Sequence, residues 1–154
     1  MSSLKKILVS KDISCKSVWF MRQAGRYLPE FREIRSQNQN FIDLCLNSEL
    51  SSKITLQPIK RFNLDSAIIF SDILMVPYAL GQDVKFIKDL GPELSEFNIE
   101  KFLENSEKEF SKKLKPVYKA IEITRKSLDR DKSLIAFIGA PWTLMVYMLN
   151  LKNN

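Results

Sequence analysis

Two continuous apolar runs, Ala67-Ile68-Ile69-Phe70 and Leu134 to Ile138, stand out from the mixed pattern around them. Apolar character without alternation predicts strands covered on both faces, as in a parallel sheet. Val84 to Ile87 predicts a third, shorter strand. The segments between them carry helical spacing. Pro29 presets the helical dihedral, and Phe31, Ile34 and Arg35 follow on a helical period. Asn38 to Asn40 breaks that helix, and Phe41 to Leu46 predicts another short one. Ser48 is expected to cap a further helix with Leu50, Ile54, Ile59 and Phe62 as its buried stripe. Pro58 is expected to kink or divide it, and Asn63 to close it. Gly91-Pro92 reads as a turn. Asn98 is expected to cap a weak helix over Ile99 to Leu103. A longer helix is expected over Glu107 to Leu128, with Pro116 as an interruption or a new start. Its apolar positions are Leu114, Val117, Tyr118, Ile121 and Ile123. A last helix is expected from Pro141 to Asn150, with proline in its first turn. Strands alternating with helices in this order predict an α/β fold with parallel strands. No internal repeat, low-complexity tract or Pro/Gly/Ser-rich linker marks a domain boundary.

Composition narrows the chemistry. The chain has 154 residues, 45% of them hydrophobic, which suffices for one core and not for two large domains. Cys15 and Cys45 are its 2 cysteines, too few for a disulfide scaffold or a four-cysteine zinc site. Histidine is absent, which excludes Ser-His-Asp and Cys-His machinery and imidazole metal ligands within the chain. Acid–base work would fall to Asp, Glu, Arg, Lys, Tyr or water. A net charge of +6 permits a polyanionic partner. The lysines are scattered, with no basic arm and no nucleic-acid motif, so nucleic acid is not expected as a partner. Ser133 to Leu151 carries no charge and is long enough to span a membrane. Gly139-Ala140-Pro141 cuts it into a strand and a helix, so no membrane partner is expected. Lys5 and Lys6 precede only Ile7-Leu8-Val9, too short a run for a signal-peptide core. Two unpaired cysteines and no leader point to the cytoplasm.

The stretch from Arg22 to Arg35 holds four arginines: Arg22, Arg26, Arg32 and Arg35. Guanidinium groups are planar forks that grip carboxylates in bidentate fashion. Several converging on one cleft would clamp a substrate bearing several carboxylates. Arg32 reads instead as a solvated residue paired with Glu30 or Glu33. Arg22 and Arg26 lie beside Gly25 and follow the apolar run Val18-Trp19-Phe20-Met21, a setting that surface solvation explains less well.

The run Met-Arg-Gln-Ala-Gly-Arg-Tyr-Leu-Pro-Glu-Phe-Arg at 21–32 resembles the signature of the uroporphyrinogen decarboxylase family. Three further segments resemble the family in the same order. They are Thr-Leu-Gln-Pro-Ile-Lys-Arg-Phe at 55–62, Ile-Ile-Phe-Ser-Asp-Ile-Leu at 68–74 and Gly-Ala-Pro-Trp-Thr-Leu at 139–144. The resemblance runs from about Val18 to Leu151. It implies a single-domain (β/α)8 barrel, of which residues 1–154 would be the N-terminal part with preceding helices. Such barrels need about 250 residues, so the C-terminal strands are expected to be missing.

The resemblance also implies an activity and a site. The family removes carbon dioxide from the four acetate side chains of uroporphyrinogen, giving coproporphyrinogen, with no metal and no organic cofactor. Protonation of the pyrrole ring beside the acetate supplies the electron sink. Asp72, expected at the C-terminal end of the first strand, matches the aspartate that accepts hydrogen bonds from the pyrrole N–H groups. An Asp after a strand is otherwise a common turn residue. Arg22 and Arg26 match arginines that bind substrate carboxylates. Arg22 also matches a proposed proton donor, against a guanidinium pKa above about 12. Gln23 belongs to the same loop, Arg35 is expected to face the site, and Phe70 to pack beside the macrocycle. Tyr147 matches a tyrosine near the reacting acetate, with a core aromatic as its other reading. The family draws a serine and a histidine from its C-terminal half, and its members form homodimers. Two other readings stand beside the enzyme. One is a truncated porphyrinogen-binding fragment without turnover. The other is a corrinoid-dependent methyltransferase on the same barrel, against which the arginine-rich loop at 21–26 argues.

Overall fold

The computed structural model describes residues 1–18, 27–87, 90–136 and 138–151. In chain order its helices are α1 (Ser3–Ser10), α2 (Pro29–Gln37), α3 (Phe41–Leu46), α4 (Ser48–Phe62), α5 (Met75–Ala79), α6 (Ile99–Glu104), α7 (Glu107–Ser127) and α8 (Pro141–Met148). The strands are β1 (Ser66–Ile68), β2 (Val84–Ile87), β3 (Gly91–Leu94) and β4 (Ser133–Ile135). β1 and β4 pair in parallel, with Ala67 opposite Leu134. The long α7 lies between β3 and β4 in the chain and packs along α4. Helices and a parallel pair of strands make this an α/β chain, as the order of patterns predicts.

The strands are shorter than the apolar runs that announce them. β1 is buried at Ser66 and Ala67, whereas all of β4 is only half-buried and Ile138 is exposed. Cover on both faces therefore comes closest in β1, where Ile68 alone is half-buried. β2 and β3 form an antiparallel hairpin, so Gly91-Pro92 begins a strand where a turn was expected. Gly91 takes a φ of 91°, which a side chain would resist, and so ends the turn itself.

The helix ends follow cap chemistry. Asn98 accepts from the Lys101 N–H at 2.9 Å, as expected. Asn63 closes α4 in the left-handed region with φ 48°. The N-cap of α4 is Asn47, which accepts from the Leu50 N–H at 3.0 Å, and not Ser48. Ser48 lies inside the helix and donates to the Pro116 carbonyl of α7 at 2.7 Å. α1 was not foreseen from the pattern. Ser2 caps it, and its Leu8 and Val9 are exposed, so no apolar stripe marks it.

Both internal prolines are carried through. Pro58 lies inside α4 and Pro116 inside α7, and neither helix is divided. Proline removes one rung of the ladder, and α4 is held by a buried face on both sides of the gap. That face differs from the expected stripe. Phe62 is 47% exposed and Leu50 half-buried, while Ser51, Ser52 and Thr55 are buried. α7 likewise buries Leu114, Ala120 and Thr124, and leaves Tyr118 exposed. Small side chains at the contact let two helices approach, and Thr124 meets the Ser52 hydroxyl at 3.0 Å there.

The main core gathers Phe31 and Ile34 of α2, Leu44 of α3, Ile54 of α4, then Phe70 and Leu74. A smaller cluster of Ile59, Leu64, Ala67 and Leu128 lies at the other end of β1. Among the described residues no helix is long and apolar enough to cross a membrane.

Candidate active site

The segment leaving β1 carries the acid of interest. The sheet ladder runs one residue past β1, where the Ile69 N–H donates to the Ile135 carbonyl at 2.9 Å. At Phe70 the chain turns to α4 for its hydrogen bonds. The Phe70 N–H donates to Thr55 Oγ1 at 2.8 Å, and its carbonyl accepts from Ser51 Oγ at 2.6 Å. Asp72 follows, half-buried, just beyond the strand's C-terminal end. Its carboxylate accepts from the Leu74 N–H at 2.8 Å, and its carbonyl accepts from the Met75 N–H at 3.2 Å. Asp72 thus also starts the turn into α5, so the turn reading and the site reading hold at one residue.

Burial raises the Asp72 carboxyl above its ordinary range, and the Leu74 N–H offsets this only in part. The native state therefore holds the proton to a higher pH than the unfolded chain does. By linkage, this group's contribution to stability is fully present below the ordinary carboxylate range. It is lost as pH rises through the raised native value. Carbonyl NMR of the protein labelled at aspartate should show Asp72 titrating above the solvated carboxylates. Glu30 should titrate below its usual value, because its own backbone N–H and Arg61 favour its charged form. An Asp72 midpoint at or below that of the exposed aspartates would contradict the buried setting.

Arg35 ends α2. Its Nη1 donates to the carbonyls of Asn38 and, at 2.6 Å, Gln39, and its guanidinium carbon lies 5.8 Å from the Phe41 ring centre. The arginine thus caps the helix and rests on an aromatic face. Cys45, fully buried on α3, feels both charges. Its thiol is pushed up first by burial and then by the Asp72 charge, with Arg35 acting the other way. Arg35 and Asp72 are therefore within electrostatic reach of one buried thiol.

The Phe70 ring is 8% exposed. It stands edge-on to Phe31 at 5.9 Å and to Phe41 at 5.8 Å. Tyr147 of α8 is half-buried against the core that holds Phe70 and Leu74. Arg35 and Asp72 thus each act on Cys45, while Phe70 belongs to the main core and Tyr147 packs against it. Arg22, Gln23 and Arg26 lie outside the described residues. Arg32 is exposed, as expected, but Glu30 pairs with Arg61 of α4 at 2.9 Å. That pair ties α2 to α4. Among the described residues no cluster of three or more His, Cys, Asp or Glu side chains could hold a metal ion.

Sequence reading gave Ser51 and Thr55 no role. The signal was there: two hydroxyl residues four apart on a helix face that otherwise points inward.

Parallel strands flanked by helices, with an acid just past one strand's C-terminal end, define the class: an α/β scaffold of the kind that carries enzyme sites at that end. The chain belongs to the uroporphyrinogen decarboxylase family, whose model matches residues 1–153. A protein of Rickettsia canadensis described as uroporphyrinogen decarboxylase is 48% identical over 135 residues, covering 88% of this chain and 40% of its own length. Proteins of the same description from Brucella ovis and Brucella canis are each 42% identical over 144 residues, covering 94% of this chain and 42% of their own. The chain thus spans about two fifths of the length of the curated relatives it matches.

Proposed function

We propose that this chain forms the N-terminal part of a (β/α)8 barrel that decarboxylates uroporphyrinogen, and that it carries the acid on which the reaction turns. The observation that carries this reading is Asp72, half-buried just past the end of a parallel strand and bonded to the Leu74 N–H. A carboxylate out of water interacts more strongly with positive charge than a solvated one. The pyrrole N–H groups of the substrate would donate to Asp72. Protonation of the ring beside an acetate makes the ring cationic, and the carboxylate stabilises that cation better than it stabilises the neutral ground state. An interaction that strengthens as charge develops lowers the barrier. The carbon–carbon bond to the carboxylate then breaks, its electron pair neutralises the ring and carbon dioxide leaves.

In this reading Arg22, Gln23 and Arg26 hold substrate carboxylates, with Arg22 near the proton to be delivered. Arg35 adds positive charge to the same side. Phe70 supports the floor of the site from within the core, and Tyr147 approaches from α8. The complete protein works without metal or cofactor, as a cytoplasmic homodimer.

The test gives the complete protein, of which this chain is the N-terminal part, uroporphyrinogen under reducing conditions and separates the products by carboxylate number. Stepwise loss of four carboxylates supports the reading. Substrate binding without turnover would point to a porphyrinogen-binding piece instead. Arg26→Ala should raise the Michaelis constant about ten- to a hundredfold, the equivalent of one charge-assisted hydrogen bond. An unchanged constant would remove Arg26 from the clamp.

A further inference from the structure

We propose that Ser51 and Thr55 are positioning residues: two buried hydroxyls, one helical turn apart on α4, that hold the Phe70 peptide and so aim the Asp72 side chain two residues on. The catalytic meaning of this rests on the decarboxylase reading above.

The geometry is closed. Thr55 Oγ1 accepts from the Phe70 N–H at 2.8 Å and donates to the Ser51 carbonyl at 2.7 Å. Ser51 Oγ donates to the Phe70 carbonyl at 2.6 Å. Both side chains are about 1% exposed, so water does not compete. A residue at the end of a strand ordinarily draws its backbone partners from the neighbouring strand. Here Ile69 still bonds to Ile135 of β4, and the two backbone groups of Phe70, which by alternation face the other edge of the strand, bond to helix side chains. Both peptide groups of Phe70 are therefore fixed to α4. Two residues later the Asp72 carboxylate accepts from the Leu74 N–H. A shift of this peptide would tilt the acid relative to a bound macrocycle, and misplacement by about 1 Å can cost a hundredfold in rate.

The purely structural alternative is that the hydroxyls satisfy buried backbone groups and nothing more. Thr55→Val separates the two, because it keeps the shape and removes both hydrogen bonds. With the positioning role, Thr55→Val lowers kcat at least tenfold and changes KM less than twofold. It also moves the Asp72 ionisation midpoint, read by carbonyl NMR, toward that of exposed aspartates. Thr55→Ser restores both. Cys45, on which the Asp72 charge acts, is untouched by either change. Lower thermal stability with kcat and the Asp72 midpoint as in wild type would overturn the proposal. Ser51→Ala, which removes only the bond to the Phe70 carbonyl, carries the same readouts if Thr55→Val does not fold. Absence of turnover in the complete protein, of which this chain is the N-terminal part, would defeat the decarboxylase reading. The Asp72 midpoint and Phe70 amide exchange in the same variants would still decide whether the hydroxyls position the acid.

Discussion

In the complete protein of the proposed decarboxylase, Asp72→Asn should cut uroporphyrinogen turnover by about a hundred- to a thousandfold, the loss seen when one preorganised electrostatic partner is removed from a transition state. Asparagine keeps the volume, and its carbonyl oxygen can still accept from the Leu74 N–H. The turn into α5 therefore survives, and the variant's thermal midpoint should stay within a few degrees of wild type. What disappears is the negative charge. Burial already disfavours that charge in the native state, so its removal should if anything stabilise the chain near neutral pH. A variant that keeps its fold and loses its rate is the signature of a charge held for chemistry. Full turnover in Asp72→Asn, with the chain correctly folded, would end the proposal that this carboxylate stabilises a cationic ring.

Phe70→Ala should cost about 3–5 kcal/mol of stability, the range for truncating a buried aromatic. The ring packs edge-on against both Phe31 and Phe41, and each such pair adds about 0.5–1.5 kcal/mol beyond area. Phe41 in turn meets Phe86 of β2 at 4.6 Å, so the loss reaches the hairpin as well. Native domains are stable by only about 5–15 kcal/mol, so this change alone takes a large share. Urea unfolding should report a lower midpoint with little change in slope. A loss under about 1 kcal/mol would mean that the ring is not a core element.

These two residues sit two apart, and they were legible to different degrees. Asp72 follows an uninterrupted apolar run, which is a local signal for the end of a buried strand. The burial of Phe70 was implied by the same run, but its contact with two other phenylalanines was not. Those rings come from α2 and α3, and no local pattern relates them. The hydroxyls of Ser51 and Thr55 were harder still. Polar residues on a helix read by default as solvent-facing, and only the arrival of the Phe70 peptide explains their burial. The same reasoning accounts for the surface of small side chains between α4 and α7, where an apolar stripe was expected and Ala120, Thr124 and Ser52 were found.

Local chemistry determined the element types, most of the caps and the order of helix and strand along the chain. Those features depend on dihedral preference, side-chain spacing and hydrogen bonds between near neighbours, all of which are written in short stretches of residues. Tertiary structure decided which edges pair, which polar groups go inside and which charges feel one another. Asn47 took the cap from Ser48, Gly91-Pro92 entered a strand, and Pro58 stayed inside an unbroken helix. In each case a partner distant in sequence, or burial on a shared core, outweighed a local preference of about 1–3 kcal/mol.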